Sequence, residues 1–360
     1  MKLYKIFKLL PLVAIFFLQA CKKESPISPQ PPPAPPTPPT PIVIQAPPAF
    51  GFYVVGYFPS YRNNLSEVPD IKFRMCNVIN YAFFSVNSTG TLTINNPTLV
   101  PQVVAKAKAN NAKIFVSINE AAPNNFKNMA VTSTGRNSFI KDVMANVRLY
   151  NFDGVDIDWE YPRTDDGTDV TFTELIKELS DSLHRDAKYY LSIAITAGKF
   201  SGVVRDAIKT EVFGYADMFN IMSYDDFSST IPFKHHSDYN LSVTSLNYWL
   251  TTRGMPKEKA VLGFPAYGRA SGITQTGTTL GYREILTKGG SSQSDSAFIT
   301  SNAAFPGGYM IYYNGQPTVK LKTMLAKQRA NGVMMWEKWH DAPDANSLLK
   351  AACDTIGRAY

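Results

Sequence analysis

The sequence predicts an α/β fold, a (β/α)8 TIM barrel with a small insertion after its seventh strand. Three observations predict it. Eight short apolar runs, rich in β-branched and aromatic residues, follow one another from Ala49 onward as buried parallel strands do. Segments with helical spacing lie between most of them. No Gly-rich phosphate fingerprint follows the first run, which argues against an open doubly wound sheet. The 360 residues are 44% apolar, 12% aromatic and 18% charged, a composition that excludes a mainly disordered chain or a coiled coil.

In chain order, Lys2, Lys5 and Lys8 precede an apolar stretch, Leu9 to Leu18, that is too short to span a bilayer and contains Pro11. Residues 1–20 therefore read as an export signal. The ending Leu18-Gln19-Ala20-Cys21 resembles a bacterial lipobox, which implies a lipid on Cys21 and a protein anchored in the cell envelope, at the outer membrane or cell surface. Twelve of the chain's 25 prolines fall in residues 22–48. That density predicts an extended spacer of ~3.1 Å per residue. Residues 49–360 are left for the barrel.

The eight runs are Phe52–Phe58, Val78–Phe84, Lys113–Ile118, Gly154–Trp159, Tyr190–Thr196, Met218–Met222, Ala260–Pro265 and Gly332–Trp336. Between the third and fourth, Phe139, Val143, Val147 and Tyr150 share one helical face; between the fourth and fifth, Leu175, Leu179 and Leu183 do. The connection after the seventh run is long. It holds a candidate strand at Tyr309–Tyr313, so about 270–317 is expected to be an insertion, followed by a helix over Val319–Ala330. Though the connection is long, the insertion it carries is a short one, which predicts a shallow, open groove. Cys76 and Cys353 sit in apolar surroundings and read as core residues, with pairing left open. Four histidines and three cysteines give no metal-ligand spacing, so no metal and no cofactor are expected. The formal charge of +7 loses three units with Lys2, Lys5 and Lys8. With no basic run or motif, no nucleic acid partner is expected. The chain is expected to be a monomer.

The most informative segment is Asp153-Gly154-Val155-Asp156-Ile157-Asp158-Trp159-Glu160-Tyr161-Pro162. Side chains alternate along a strand, so Asp156, Asp158 and Glu160 point one way, into a closed barrel, while Val155, Ile157 and Trp159 point to the helices. Three stacked carboxylates are costly to bury unless they share protons or meet a ligand. Glu160 would stand at the carboxyl end of the strand, where barrel active sites gather, with its pKa raised for proton donation. Asp156 and Asp158 are expected to hold one proton between them. Asp158 and Glu160 approach from the same side, so neither faces the other as a nucleophile would across a sugar. The attacking group can then come from the substrate, such as the acetamido oxygen of an N-acetylated sugar. Asp153 has the opposite parity and is expected to support the structure.

This segment resembles the signature of family 18 glycoside hydrolases, the chitinases and their relatives. The likeness runs through Phe126–Pro162. It returns at Tyr57, at Tyr81-Ala82-Phe83, at Met222-Ser223-Tyr224-Asp225, at Gly263-Phe264-Pro265-Ala266-Tyr267-Gly268-Arg269 and at Gly332-Val333-Met334-Met335-Trp336. The resemblance implies a substrate-assisted retaining mechanism. Glu160 would protonate the leaving oxygen and later activate water. Asp158 would orient the acetamido group and stabilise an oxazoline-like intermediate, with Asp156 hydrogen-bonded to Asp158. Tyr224 would donate to the acetamido carbonyl and Trp336 would floor the reacting sugar. Tyr57, Phe83, Met222 and Tyr267 would line the site and Asp225 would contact a sugar hydroxyl.

One departure stands out. Where the family commonly has Ser-x-Gly-Gly, this chain reads Ser117-Ile118-Asn119-Glu120. If the loop needs a left-handed backbone, Asn119 tolerates it and Glu120 fits it poorly. The implied substrate is a glycan of β-1,4-linked N-acetylglucosamine, chitin or chitooligosaccharides. Two alternatives remain: cleavage of the chitobiose core of N-glycans by the same chemistry, and a non-catalytic glycan-binding lipoprotein.

Overall fold

Each of the eight runs forms a strand. In the computed structural model, which describes residues 44–62, 65–274, 278–300, 303 and 305–360, they are β1 (Tyr53–Pro59), β2 (Val78–Val86), β3 (Lys113–Glu120), β4 (Gly154–Ile157), β5 (Tyr190–Thr196), β6 (Met218–Met222), β7 (Ala260–Pro265) and β8 (Gly332–Trp336). Neighbours in sequence pair in parallel throughout. The sheet closes where β1 pairs with β8, from Tyr53 opposite Gly332 to Gly56 opposite Met335. This is the (β/α)8 barrel the sequence predicts. The described residues fall within one compact unit, 42–360; the export signal, Cys21 and most of the Pro-rich spacer lie outside them.

Alternation sorts the side chains. Tyr53, Val55, Phe115, Tyr190, Met218, Val261 and Met334 fill the barrel interior. Val54, Phe58, Ile114, Val155, Ile157, Trp159 and Phe264 face outward into the larger core shared with the helices. The helices expected around Phe139–Tyr150 and Phe172–Leu183 are Ser133–Leu149 and Thr168–Leu183. The first starts where the Thr132 hydroxyl accepts the Gly135 N–H at 3.0 Å.

Two strand ends differ from expectation, and both border the mouth. β4 stops at Ile157 rather than Trp159, because the chain leaves the sheet just before the last two acidic positions. β3 instead runs to Glu120, because β2 is long enough to pair with it: Ser85 lies opposite Asn119 and Val86 opposite Glu120. Asn119 and Glu120 are thus extended, not left-handed, and the expected conflict at Glu120 does not arise.

The insertion contains a two-residue antiparallel pair, Tyr267–Gly268 with Leu280–Gly281, a helix Tyr282–Thr287, and a hairpin of Ser296–Ile299 with Tyr309–Tyr312. The helix that follows is Gln316–Arg329. Cys76 and Cys353 are buried free thiols in the core. Lys72 and Asp341, both buried, form an ion pair that ties the first βα unit to the segment after β8.

Candidate active site

Asp156 sits inside the barrel with no exposed surface. Four strands each send it one donor. The Tyr57 hydroxyl and the Ser117 hydroxyl donate to Oδ2 at 2.8 and 2.7 Å. The Asn220 amide donates to Oδ1 at 3.1 Å, and the Ser192 hydroxyl bonds the same oxygen. Burial raises the Asp156 pKa, and these four bonds oppose the rise.

Asp158 lies one residue past β4, its N–H donating to the Ile118 carbonyl at 2.9 Å so that the side chain keeps its inward direction. Its Oδ1 is buried and has no hydrogen-bond partner among the described residues. The expected hydrogen bond between Asp156 and Asp158 is not formed among the described residues. Both oxygens of Asp156 are already taken by two donors each. Burial raises the Asp158 pKa well above the carboxylate range, and the Glu160 charge adds to this more than Asp156 does.

Glu160 stands above, its side chain reaching solvent at the mouth of a cavity of about 620 Å³. Enclosure by the surrounding protein raises its pKa, the Tyr161 hydroxyl opposes that, and the Asp225 charge adds to it. Trp336 lies across the cavity, its ring 5.7 Å from the Phe83 ring at 26° and 5.1 Å from the Tyr57 ring at 61°. Phe83 reaches the cavity through a shift in strand register. Ala82 pairs with Ser117 and Phe84 with Ile118, so Phe83 has no partner and turns out of the alternation. Cis peptide bonds stand at Ala82–Phe83, Glu160–Tyr161 and Trp336–Glu337.

Tyr224 follows β6. Its hydroxyl lies 3.9 Å from the Met334 sulfur, and burial, then the neighbouring Tyr267 and Asp158, hold it protonated far above its ordinary range. Gly263 makes room for it: a Cβ there would meet the Ile221 carbonyl at 2.4 Å, the Met334 methyl at 2.9 Å and the Tyr224 ring at 3.1 Å. Asp225, at φ 61°, turns to the rim. It accepts from the Tyr267 hydroxyl at 2.6 Å and from two Arg269 nitrogens at 2.6 and 3.2 Å. Burial pushes its carboxyl up, but His236, Tyr267 and Arg269 outweigh it and hold the pKa at about 2.

Nine of the ten sequence-predicted catalytic and binding residues therefore line one cavity, and the tenth, Asp156, lies beneath it. Sequence reasoning passed over the cage of Ser117, Ser192 and Asn220. Its signal was a polar residue at interior parity in an otherwise apolar strand. It also passed over Tyr161, Lys199, Phe200 and Asp226, which line the cavity from loops without periodicity. Asp153 is structural, as expected: its Oδ2 accepts the Ile114 N–H at 3.0 Å between β3 and β4.

Residues 53–341 match the model of the glycosyl hydrolases family 18. The chain is 26% identical over 233 residues to Chitinase-3-like protein 2 of Homo sapiens, covering 58% of this chain and 59% of that protein. The curated relative is thus spanned for under two thirds of its length. Among solved structures, a chitinase from Bacteroides thetaiotaomicron superposes with a TM-score of 0.73 at 25% identity, covering 86% of this chain and 99% of that one. A family 18 chitinase from Cycas revoluta, solved in complex with (GlcNAc)4, gives 0.73 at 24% identity, with 85% and 100% covered, a likeness of fold.

Proposed function

The chain belongs to the glycosyl hydrolases family 18, and from that membership we propose that it hydrolyses β-1,4-linked N-acetylglucosamine glycans, chitin or its oligosaccharides, with retention of configuration. One observation carries the reading. A buried carboxyl, Asp158, with one oxygen left unpartnered, lies beneath a proton donor and opposite an aromatic floor. An apolar sugar face fits Trp336, and an acetamido N–H fits the free oxygen of Asp158.

In the proposed reaction Glu160 gives its proton to the glycosidic oxygen as the bond to C1 breaks. The acetamido oxygen forms the new bond to C1, held in place by the Tyr224 hydroxyl. Positive charge then develops on the acetamido group, and Asp158 receives its N–H and stabilises that charge. Glu160, now a carboxylate, takes a proton from the water that attacks C1; the bond from C1 to the acetamido oxygen breaks, the acetamido group is restored with C1 carrying the new hydroxyl, and the enzyme returns to its starting state. No opposing protein nucleophile is needed. Asp225, one of the further carboxylates lining the cavity, has both oxygens occupied by Tyr267 and Arg269.

Mass spectrometry of products from chitin oligomers, beside a high-mannose glycopeptide, tests the substrate. The expected result is cleavage of the oligomers and an intact glycopeptide; cleavage of the glycopeptide alone would move the assignment to the chitobiose core of N-glycans. Glu160→Gln should lower kcat by ~10²–10⁴, and near-normal turnover by that variant would overturn the assignment. The proposal extends to location: a lipid on Cys21 would tether the domain in the cell envelope. Cys21→Ser should then shift the protein from membrane to soluble fractions.

A further inference from the structure

The wall opposite the aromatic floor is built differently. Trp336, Tyr57 and Phe83 belong to β8, β1 and β2, which are neighbours in the barrel, and the loops after β5 and β6 face them across the mouth. Those loops supply Lys199, Phe200, Asp226 and Lys234. Both lysine ammoniums bond the same carboxylate, Lys199 on Oδ2 and Lys234 on Oδ1 of Asp226, which is 7% exposed. One carboxylate balances one cation, so the trio keeps an unmatched positive charge. Neighbouring cations are matched: Arg269 by Asp225 and Arg205 by Asp206.

Each ammonium carries three donors and uses one on Asp226. Both Nζ atoms also lie over the Phe200 ring, at 5.2 and 5.8 Å. That ring lines the cavity with Lys199 and is 65% exposed. A large apolar ring left open beside a surplus cation contributes little to packing. It presents a stacking face and a charge to whatever enters.

We infer that this wall is a subsite for an oxyanion substituent, a carboxylate, sulfate or phosphate, on the sugar unit lying across the scissile bond from the Trp336 floor. The substrate class would then be an acidic N-acetylglucosamine glycan. That sugar stacks on Phe200 and its oxyanion takes the spare donors of Lys199, while Lys234, which does not line the cavity, neutralises Asp226. The reaction assigned to the site rests on the glycosidase reading; the charge of the wall does not.

The test compares kcat/KM of the full chain on neutral GlcNAc oligomers and on the same oligomers carrying a carboxylate or a sulfate on the reducing-end unit. The charged oligomers should be favoured about fivefold at low salt, with the preference shrinking as salt is added. Lys199→Gln leaves Asp226 and Lys234 as a matched pair, so the charged-to-neutral ratio should fall to about one. Asp226→Asn leaves both cations and should raise the ratio. Equal kcat/KM on charged and neutral oligomers, or a preference untouched by Lys199→Gln, overturns the inference. Calorimetric binding of the same oligomers to Glu160→Gln protein separates the two readings. If the wild type cleaves neither substrate, the glycosidase reading fails. The wall is then judged by whether the charged oligomer binds more tightly and loses that advantage with Lys199→Gln; equal affinities overturn it.

Discussion

Asp225 acts on the site through its charge as well as its position. Held ionised by His236, Tyr267 and Arg269, it raises the pKa of Glu160. The proposed acid must be protonated to work, so a higher Glu160 pKa moves the alkaline limb of kcat/KM to higher pH. Asp225→Asn removes the negative charge and leaves Arg269 unmatched, and both changes favour ionised Glu160. The alkaline limb should therefore shift toward lower pH, as a pH–rate profile would record; an unmoved limb would separate Glu160 from that limb. Trp336→Ala should raise KM about tenfold, as expected if roughly 60 Å² of sugar face loses its apolar cover. At this scale the sequence was readable where chemistry is expensive. Three acids at period two in an apolar strand announce themselves, and Tyr224 and Trp336 stand at strand ends. Lys199 and Phe200 do not, because a loop has no period to reveal its direction. The relation between Asp156 and Asp158 was also hidden. It depends on donors from four strands distant in sequence.

Strand and helix positions were legible because buried parallel strands are continuous apolar runs and helices show a striped face. Their ends were less so. Whether β3 reaches Glu120 depends on the length of β2 beside it, which no local pattern of β3 contains. The same dependence on neighbours makes Gly263 sensitive. Gly263→Ala would drive a methyl into the Ile221 carbonyl and toward Met334 and Tyr224. It should cost ~1–3 kcal/mol in urea unfolding and should lower kcat as the Tyr224 ring is displaced. A variant of unchanged stability and rate would show that the strand has room to spare. Thr132→Ala, which removes the cap of Ser133–Leu149 and does not touch the cavity lining, should cost ~1 kcal/mol with kinetics unaltered.

At the scale of the molecule, eight strands with crossovers foretold a barrel, but not the register of its closure, which joins Tyr53 to Gly332. Nor did the sequence reveal the pairings in the insertion, where two-residue strands carry too little pattern. The ion pair of Lys72 with Asp341 secures the closure from outside, helped by the Ser347 hydroxyl and the Ala342 carbonyl, both of which accept from Lys72. Lys72→Met leaves a buried carboxylate without its cation and should cost ~3–5 kcal/mol in urea unfolding. Adding Asp341→Leu should recover part of that loss, since no lone buried charge is then left.

Because Trp336 ends the last strand and that strand must dock on the first, a growing polypeptide exposes its acidic segment at the ribosome long before the Trp336 wall of the cavity exists. On the proposed reading, a product cut short before β8 would keep Asp156, Asp158 and Glu160 yet lack the Trp336 floor, and it should cleave no glycan.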